Sequence, residues 1–129
     1  MHSVYSGVLE PAVTSWDMRK VEKKGEIPEV EETYAFLNTA YPCLNEKQLA
    51  IGETTIGGRM ELRNTEGIFY IEELEKIALQ RCKTARDAIT LIGRLAEEYG
   101  YGDFAECITI ADPKEVWQLE ISGSGKGKP

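Results

Sequence analysis

Two consecutive apolar stripes in the middle of this 129-residue chain constrain its fold more than any other feature. Apolar residues recur every three to four positions within 70–82 and again within 85–99, which is the spacing of a helix with one buried face. Thr84 with Asp87 three positions later resembles a capping box at the start of the second stripe, and Gly100 is suited to end it. The sequence therefore predicts two consecutive helices.

Segments that favour β-strands lie on both sides of these helices. Before them, "TYAFLNTAY" and "LAIGETTI" are rich in aromatic and β-branched residues, and they predict a hairpin with a loop centred on Pro42 to Lys47. After them, "AECITIADPKEVWQLEI" predicts a second hairpin that turns at Asp112 and Pro113. This order predicts an α+β fold, with antiparallel hairpins and the two helices packed on one face of the sheet.

The chain length is sufficient for one domain with a modest core. Residues 1–33 mix charges, glycine and two prolines, and this pattern predicts an irregular lead-in arm. Residues 34–121 carry the predicted helices and strands and form the expected domain. The final residues 122–129, "SGSGKGKP", are typical of a flexible tail.

Charge and hydropathy exclude several function classes. A formal net charge of −7 argues against binding to the nucleic-acid backbone, which requires clustered Lys and Arg. No run approaches the ~18 apolar residues of a membrane helix, and the start lacks the pattern of a signal peptide, so we expect a cytoplasmic protein with no membrane partner. Cys43, Cys82 and Cys107 form no C-x-x-C pair, so we expect buried thiols and neither a metal nor a cofactor.

Few residues suggest catalysis by themselves. The only histidine is His2, so we expect no Ser-His-Asp or Cys-His arrangement within the chain. The carboxylates of the predicted helices are expected to form a solvated face, namely Glu72, Glu73, Glu75, Glu97 and Glu98.

Three polar residues allow two interpretations each. Glu53 and Glu106 lie among apolar or small residues of predicted strands, so each carboxylate either faces water or belongs to a buried polar network or a site for a substrate amine. Asn45 begins the polar quartet "NEKQ" and is either a turn residue, since Asn bonds its own backbone readily, or an active-site donor. Glu53 and Asn45 are the candidate site residues.

The motifs "NEKQLAIGETTIGG", "TARDAI", "EEYGYG" and "IADPKEVWQLEI" follow one another in the order and approximate spacing of a known family. Between about Asp17 and Ile121 the chain resembles the C69 peptidases, the dipeptidase A and secernin group of N-terminal nucleophile (Ntn) hydrolases. The resemblance implies an αββα sandwich, a dipeptide substrate and a mature amino-terminal Cys that attacks the peptide carbonyl with its own α-amine as base. It also implies that Asn45, in the "NE" motif, donates its amide to the oxyanion.

The chain departs from the family pattern at the nucleophile. The family's nucleophilic Cys lies before the region of "GEIPEV", whereas the first cysteine here is Cys43, and the family continues with further strands after "EVWQLEI". We therefore expect an internal fragment of a cysteine-type dipeptidase that is inactive alone. The alternative is a non-catalytic binding or interaction module on the same scaffold. In either case, strand edges and apolar sheet surface left open by missing strands predict a homo-oligomer.

Overall fold

The computed structural model describes residues 1–5, 23–37, 41–56, 67–103 and 105–123. Its elements, in chain order, are β1 (His2–Tyr5), β2 (Lys23–Ile27), β3 (Ala50–Thr55), α1 (Ile71–Arg81), α2 (Ala85–Tyr99), β4 (Glu106–Ala111) and β5 (Val116–Ile121). Within these residues the strands form two antiparallel sheets, which confirms an α+β fold with two consecutive helices. Most of the predicted tail, 124–129, lies outside the described residues.

The larger sheet contains β3, β4 and β5 in that order. Ile51 lies opposite Ile110, and Ile108 lies opposite Leu119, so the apolar side chains of neighbouring strands share one face. Ile51, Ile108 and Ile110 are buried on this inner face, where α2 contacts β4 and β5, and they share one hydrophobic core with both helices. The outer face carries small and polar residues that are exposed: Gly52, Thr54, Thr109, Gln118 and Glu120.

Local hydrogen bonds explain where α2 begins and ends. The Thr84 hydroxyl oxygen accepts a hydrogen bond from the Asp87 N–H at 3.1 Å, so Thr84 is the predicted N-cap. Gly100 follows the last turn with a φ of 87°, a conformation that favours glycine, and its N–H donates to the Ala96 carbonyl. Both predicted ends of α2 are therefore confirmed.

Asp112 joins the β4–β5 turn to the start of α2. Its Oδ1 accepts hydrogen bonds from the N–H groups of Lys114 and Glu115, and its Oδ2 accepts one from the Ala85 N–H at 2.7 Å. The bond from Ala85 and the two from the turn hold the pKa of this carboxyl below its usual value. The predicted Asp-Pro turn is thus confirmed, and it also caps the helix.

The hairpin predicted before the helices is wrong in its pairing. β3 pairs along its whole length with β4, and the described residues of "TYAFLNTAY" contribute one isolated bridge, between Phe36 and Asn45. The chain turns more tightly than expected, because Leu44 already bridges to Ala50. Residues 38–40 of the predicted strand lie outside the described residues.

The lead-in arm 1–33, predicted to be irregular, contains two of the strands. β1 pairs antiparallel with β2, and Val4 and Ile27 of this ladder are fully buried. The strands are short and far apart in sequence, so neither carries a clear alternating pattern of its own. Residues 6–22 lie outside the described part.

The solvated acidic face predicted for the helices is correct for α2 and wrong for α1. Glu97 and Glu98 are exposed, whereas Glu72, Glu73 and Glu75 are 3%, 0% and 1% exposed. Segments distant in sequence cover α1. The His2 Nε2 atom lies 3.9 Å from a Glu73 carboxylate oxygen, and the N–H of Tyr34 donates to the Gln80 carbonyl at 2.7 Å. Contacts on several sides leave no face of this helix to water.

Candidate functional site

The polar quartet from Asn45 to Gln48 forms a tight turn. The Gln48 N–H donates to the Asn45 carbonyl at 3.2 Å, and the Asn45 N–H donates to the Leu49 carbonyl at 3.1 Å. Gln48 has a φ of 65°, in the left-handed region, which few residues other than glycine adopt without cost. The prediction of a turn at this quartet is confirmed.

The Asn45 side chain connects this turn to the end of α1. Its Nδ2 donates to the carbonyls of Leu79 and Cys82, both at 2.8 Å, and its Oδ1 accepts from the N–H groups of Lys47 and Leu49 at 2.9 and 3.0 Å. The last carbonyls of a helix have no partner within the helix, so the Asn45 amide supplies one from outside. Asn45 is 6% exposed and lies between the two elements that it joins.

These bonds use the full hydrogen-bonding capacity of the Asn45 side chain. An Asn amide has two N–H donors and an oxygen that accepts about two bonds, and all of them are engaged within the chain. A contact between Asn45 and a substrate oxyanion would replace one of the two bonds to α1. In this structure Asn45 is an anchor between turn and helix.

Glu53 and Glu106 occupy adjacent strands on the inner face of the larger sheet. Glu106 is 4% exposed, and its Oε1 accepts a hydrogen bond from the Thr55 hydroxyl at 3.0 Å. Burial, together with a hydrogen bond to Glu53, raises the pKa of Glu106 to about 8. Of the two interpretations of Glu106, the buried polar network is the correct one. Glu53 is half-buried and belongs to the same network.

Glu75 brings a third carboxyl to this network from α1. Burial, followed by the nearby carboxyls of Glu53, Glu72 and Glu106, raises its pKa to about 9. Sequence reasoning placed Glu75 in water and so missed this cluster. One signal was present, because Glu75 follows Ile71 by four positions and therefore lies on the same side of the helix as the apolar stripe.

The three cysteines have different environments. Cys82 is buried, Cys107 is half-buried and Cys43 is exposed, so the expectation of buried thiols is wrong for Cys43. Burial raises the pKa of the Cys82 thiol to about 11, which keeps it protonated at neutral pH. Cys43 lies just before the turn. Its carbonyl accepts a hydrogen bond from the N–H of Ile51, on the other side of the turn, at 2.9 Å.

Within residues 1–5, 23–37, 41–56, 67–103 and 105–123, no three His, Cys, Asp or Glu side chains are grouped so that they could hold a metal ion. Neither of the two helices described there has the length and apolar character needed to cross a membrane.

The chain matches a known protein family by its sequence but matches no solved structure. The model of peptidase family C69 matches residues 12–127, which include the Asn45 turn, both helices and all three strands of the larger sheet. The match covers nearly the whole chain and contains every motif on which the resemblance depends. The chain therefore belongs to peptidase family C69.

Proposed function

We propose that this chain is part of a cysteine-type dipeptidase that hydrolyses the peptide bond of dipeptides. The observation that carries the proposal is the family match over residues 12–127, since the family consists of peptidases. The lack of a His-based nucleophile pair is compatible with this chemistry, because an amino-terminal nucleophile uses its own α-amine as the base.

The architecture supports an Ntn-hydrolase sandwich as the complete fold. The larger sheet contacts α2 on one side, and on its outer face β3 and β4 carry the short side chains of Gly52, Thr54 and Thr109, whereas the edge strand β5 carries Gln118 and Glu120. Sheets that pack face to face are about 10 Å apart, and the short outward side chains of β3 and β4 leave room for a second sheet at that distance. We propose that a second sheet, formed by strands outside this chain, covers the outer face.

The nucleophile is proposed to lie outside these residues. An amino-terminal nucleophile needs a free α-amine on the same residue, and Cys43, Cys82 and Cys107 are all internal. Cys82 is further excluded by its burial and raised pKa. Without the nucleophile and its base, the chain alone should not turn over substrate.

Two residues are proposed to face the substrate in the complete enzyme. Asn45 would break one of its two hydrogen bonds to the carbonyls at the end of α1 and donate that amide N–H to the oxyanion. Glu53 would accept a hydrogen bond from the substrate α-amine through its half-buried carboxylate. Removal of one oxyanion donor typically costs about 2.7 to 4 kcal/mol of transition-state stabilisation. The proposal therefore predicts a fall in kcat of about a hundredfold to a thousandfold for Asn45→Ala in the complete enzyme.

The experiment compares the product of the complete reading frame around this segment with the chain 1–129. Both are incubated with a panel of dipeptides, and the released amino acids are quantified. Hydrolysis by the longer product but not by the chain supports the proposal. Cleavage by the chain alone, reduced in Asn45→Ala, would show that the nucleophile lies within it.

A second candidate function is a non-catalytic binding module. One observation favours it, because every hydrogen-bonding group of the Asn45 side chain is used inside the chain. This function predicts saturable calorimetric binding of a dipeptide without hydrolysis by the longer product.

Self-association is proposed under both functions. β5 is the last strand of its sheet, and its Val116 is 69% exposed, so strand edge and apolar surface are both open to a second copy. Light scattering at micromolar concentration should give a mass above that of the 14.5 kDa monomer, and a monomeric mass would refute the proposal.

A further inference from the structure

The carboxyls of Glu53, Glu75 and Glu106, one each from β3, α1 and β4, act electrostatically on one another, and α1 and the larger sheet share one hydrophobic core. Glu75 and Glu106 are 1% and 4% exposed. The charged groups that act on Glu75 within the described residues are all acids: Glu53, Glu106 and Glu72 on its own helix. Asp103 and the fully buried Tyr101, both on the connection from α2 to β4, also face the cluster, since Asp103 acts on Glu106 and the carboxyls of Glu53 and Glu106 act on Tyr101. Ionisation of this cluster would gather like charges in a region from which water is excluded.

Several oxygens of the cluster have no hydrogen-bond donor. The Oε2 atoms of Glu53 and Glu106 are both buried without a donor, and the two residues are diagonal neighbours on one face of the paired strands, since Glu53 lies opposite Ile108 and Glu106 lies opposite Thr55. Two ionised carboxylates cannot bond to each other, because each is an acceptor only. A single proton between these Oε2 atoms would give each of them a partner. The Oε1 atom of Glu75 is buried in the same way.

We propose that Glu53, Glu75 and Glu106 form a proton-binding cluster, in which Glu106 carries a proton that it donates to the Glu53 carboxylate and Glu75 carries a second proton, and that these protons hold α1 against the sheet. Protonation removes the repulsion among the carboxyls and supplies O–H donors to the unpaired oxygens. A metal ion does not suit the cluster, since the described residues offer no group arranged to hold one. Deprotonation at alkaline pH would loosen the contact between α1 and the sheet.

The sign of the pH dependence follows from the raised pKa values. A carboxyl with a pKa above its unfolded value binds its proton more tightly in the folded state, so stability falls as pH rises between the two values. The usual Glu pKa is 4.5, and those of Glu106 and Glu75 are raised to about 8 and about 9. Between pH 5.5 and 7.5 unfolding should release about two protons, and the unfolding constant should rise about a hundredfold per pH unit.

Urea denaturation of the chain 1–129 at several pH values in this range tests the proposal. Glu75→Gln keeps the shape of the side chain without an ionisable proton, so its unfolding constant should rise only about tenfold per pH unit. Glu106→Gln should behave in the same way, and the control Glu98→Gln, at an exposed position on α2, should keep the wild-type slope. Equal slopes in wild type, Glu75→Gln and Glu106→Gln would overturn the proposal.

A second measurement on the wild-type chain avoids dependence on the folding of the variants. The enthalpy of unfolding near pH 7, measured by calorimetry in buffers with different ionisation enthalpies, reports the number of protons released. Release of about two protons supports the cluster. Release of none, or uptake of protons, would overturn it. Neither measurement involves peptidase activity, so the result is independent of the proposed function.

Discussion

Replacement of Asn45 by Ala tests whether this residue anchors the turn to α1. The substitution removes four hydrogen bonds, of which those to Leu79, Cys82 and Leu49 are buried. The fourth donor, the Lys47 N–H, is partly exposed and can bond to water. At about 1 kcal/mol for each buried bond, Asn45→Ala should lower the free energy of unfolding by about 3 kcal/mol. A domain of this size is typically stable by about 5–15 kcal/mol, so the loss would be large.

Chemical denaturation followed by circular dichroism measures this change. Asn45→Asp is the matched variant, because it keeps an oxygen for the N–H groups of the turn but places a carboxylate against the two carbonyls of α1. It should be destabilised at least as much at neutral pH, and it should recover in part below its pKa, where protonation restores a donor. Lys47→Ala, at an exposed position of the same turn, should cost no more than about 1 kcal/mol, because it removes only the cation–π contact of its ammonium with the Tyr34 ring at 5.5 Å.

Two outcomes would refute the reasoning about Asn45. An Asn45→Ala chain within about 0.5 kcal/mol of wild type would show that the four bonds do not hold the turn to the helix. A variant that retains full stability but loses kcat in the complete enzyme would assign Asn45 to the oxyanion alone. The anchoring role predicts a loss of stability in the chain, whatever its effect on catalysis.

Three further substitutions test local features of the fold by urea denaturation. Asp112→Ala should destabilise the chain at neutral pH, because the hydrogen bonds that lower the pKa of this carboxyl stabilise only its ionised form. The difference from wild type should therefore shrink as pH falls below the usual Asp pKa of 3.8. A difference that persists in acid would contradict this prediction. Gly67→Ala should cost about 2 kcal/mol or more, since its Cβ would lie 2.7 Å from the Tyr101 backbone carbon; an unchanged midpoint would refute it. Gln48→Gly should stabilise the chain by about 0.5 kcal/mol by relieving its positive φ, and destabilisation would show that the φ carries no cost.

Features set by neighbouring residues were predictable from the sequence. The bounds of α2 follow from Thr84 and Gly100, and the β4–β5 turn follows from Asp112 and Pro113, all of which act over a few positions. The turn at Asn45 was predictable for the same reason. Such signals need no knowledge of the rest of the fold.

Features set by distant contacts were not predictable. The hydrogen bonds from Asn45 to the end of α1 reach residues that are 34 and 37 positions away in sequence, and no local pattern predicts them. The pairing of β3 with β4 and the burial of Glu75 likewise depend on which segments meet in three dimensions. The burial of the acidic residues of α1 was not predicted, because helix patterning assumes that one face of a helix meets water. No residue of α1 is exposed.

The most direct test of the proposed function is hydrolysis of a dipeptide panel by the product of the complete reading frame, with and without substitution of its amino-terminal Cys. The proposal predicts that the longer product releases free amino acids, that Cys→Ala at its first mature position abolishes this release, and that the chain 1–129 releases none. Release that survives the Cys→Ala substitution, or release by the chain alone, would contradict it.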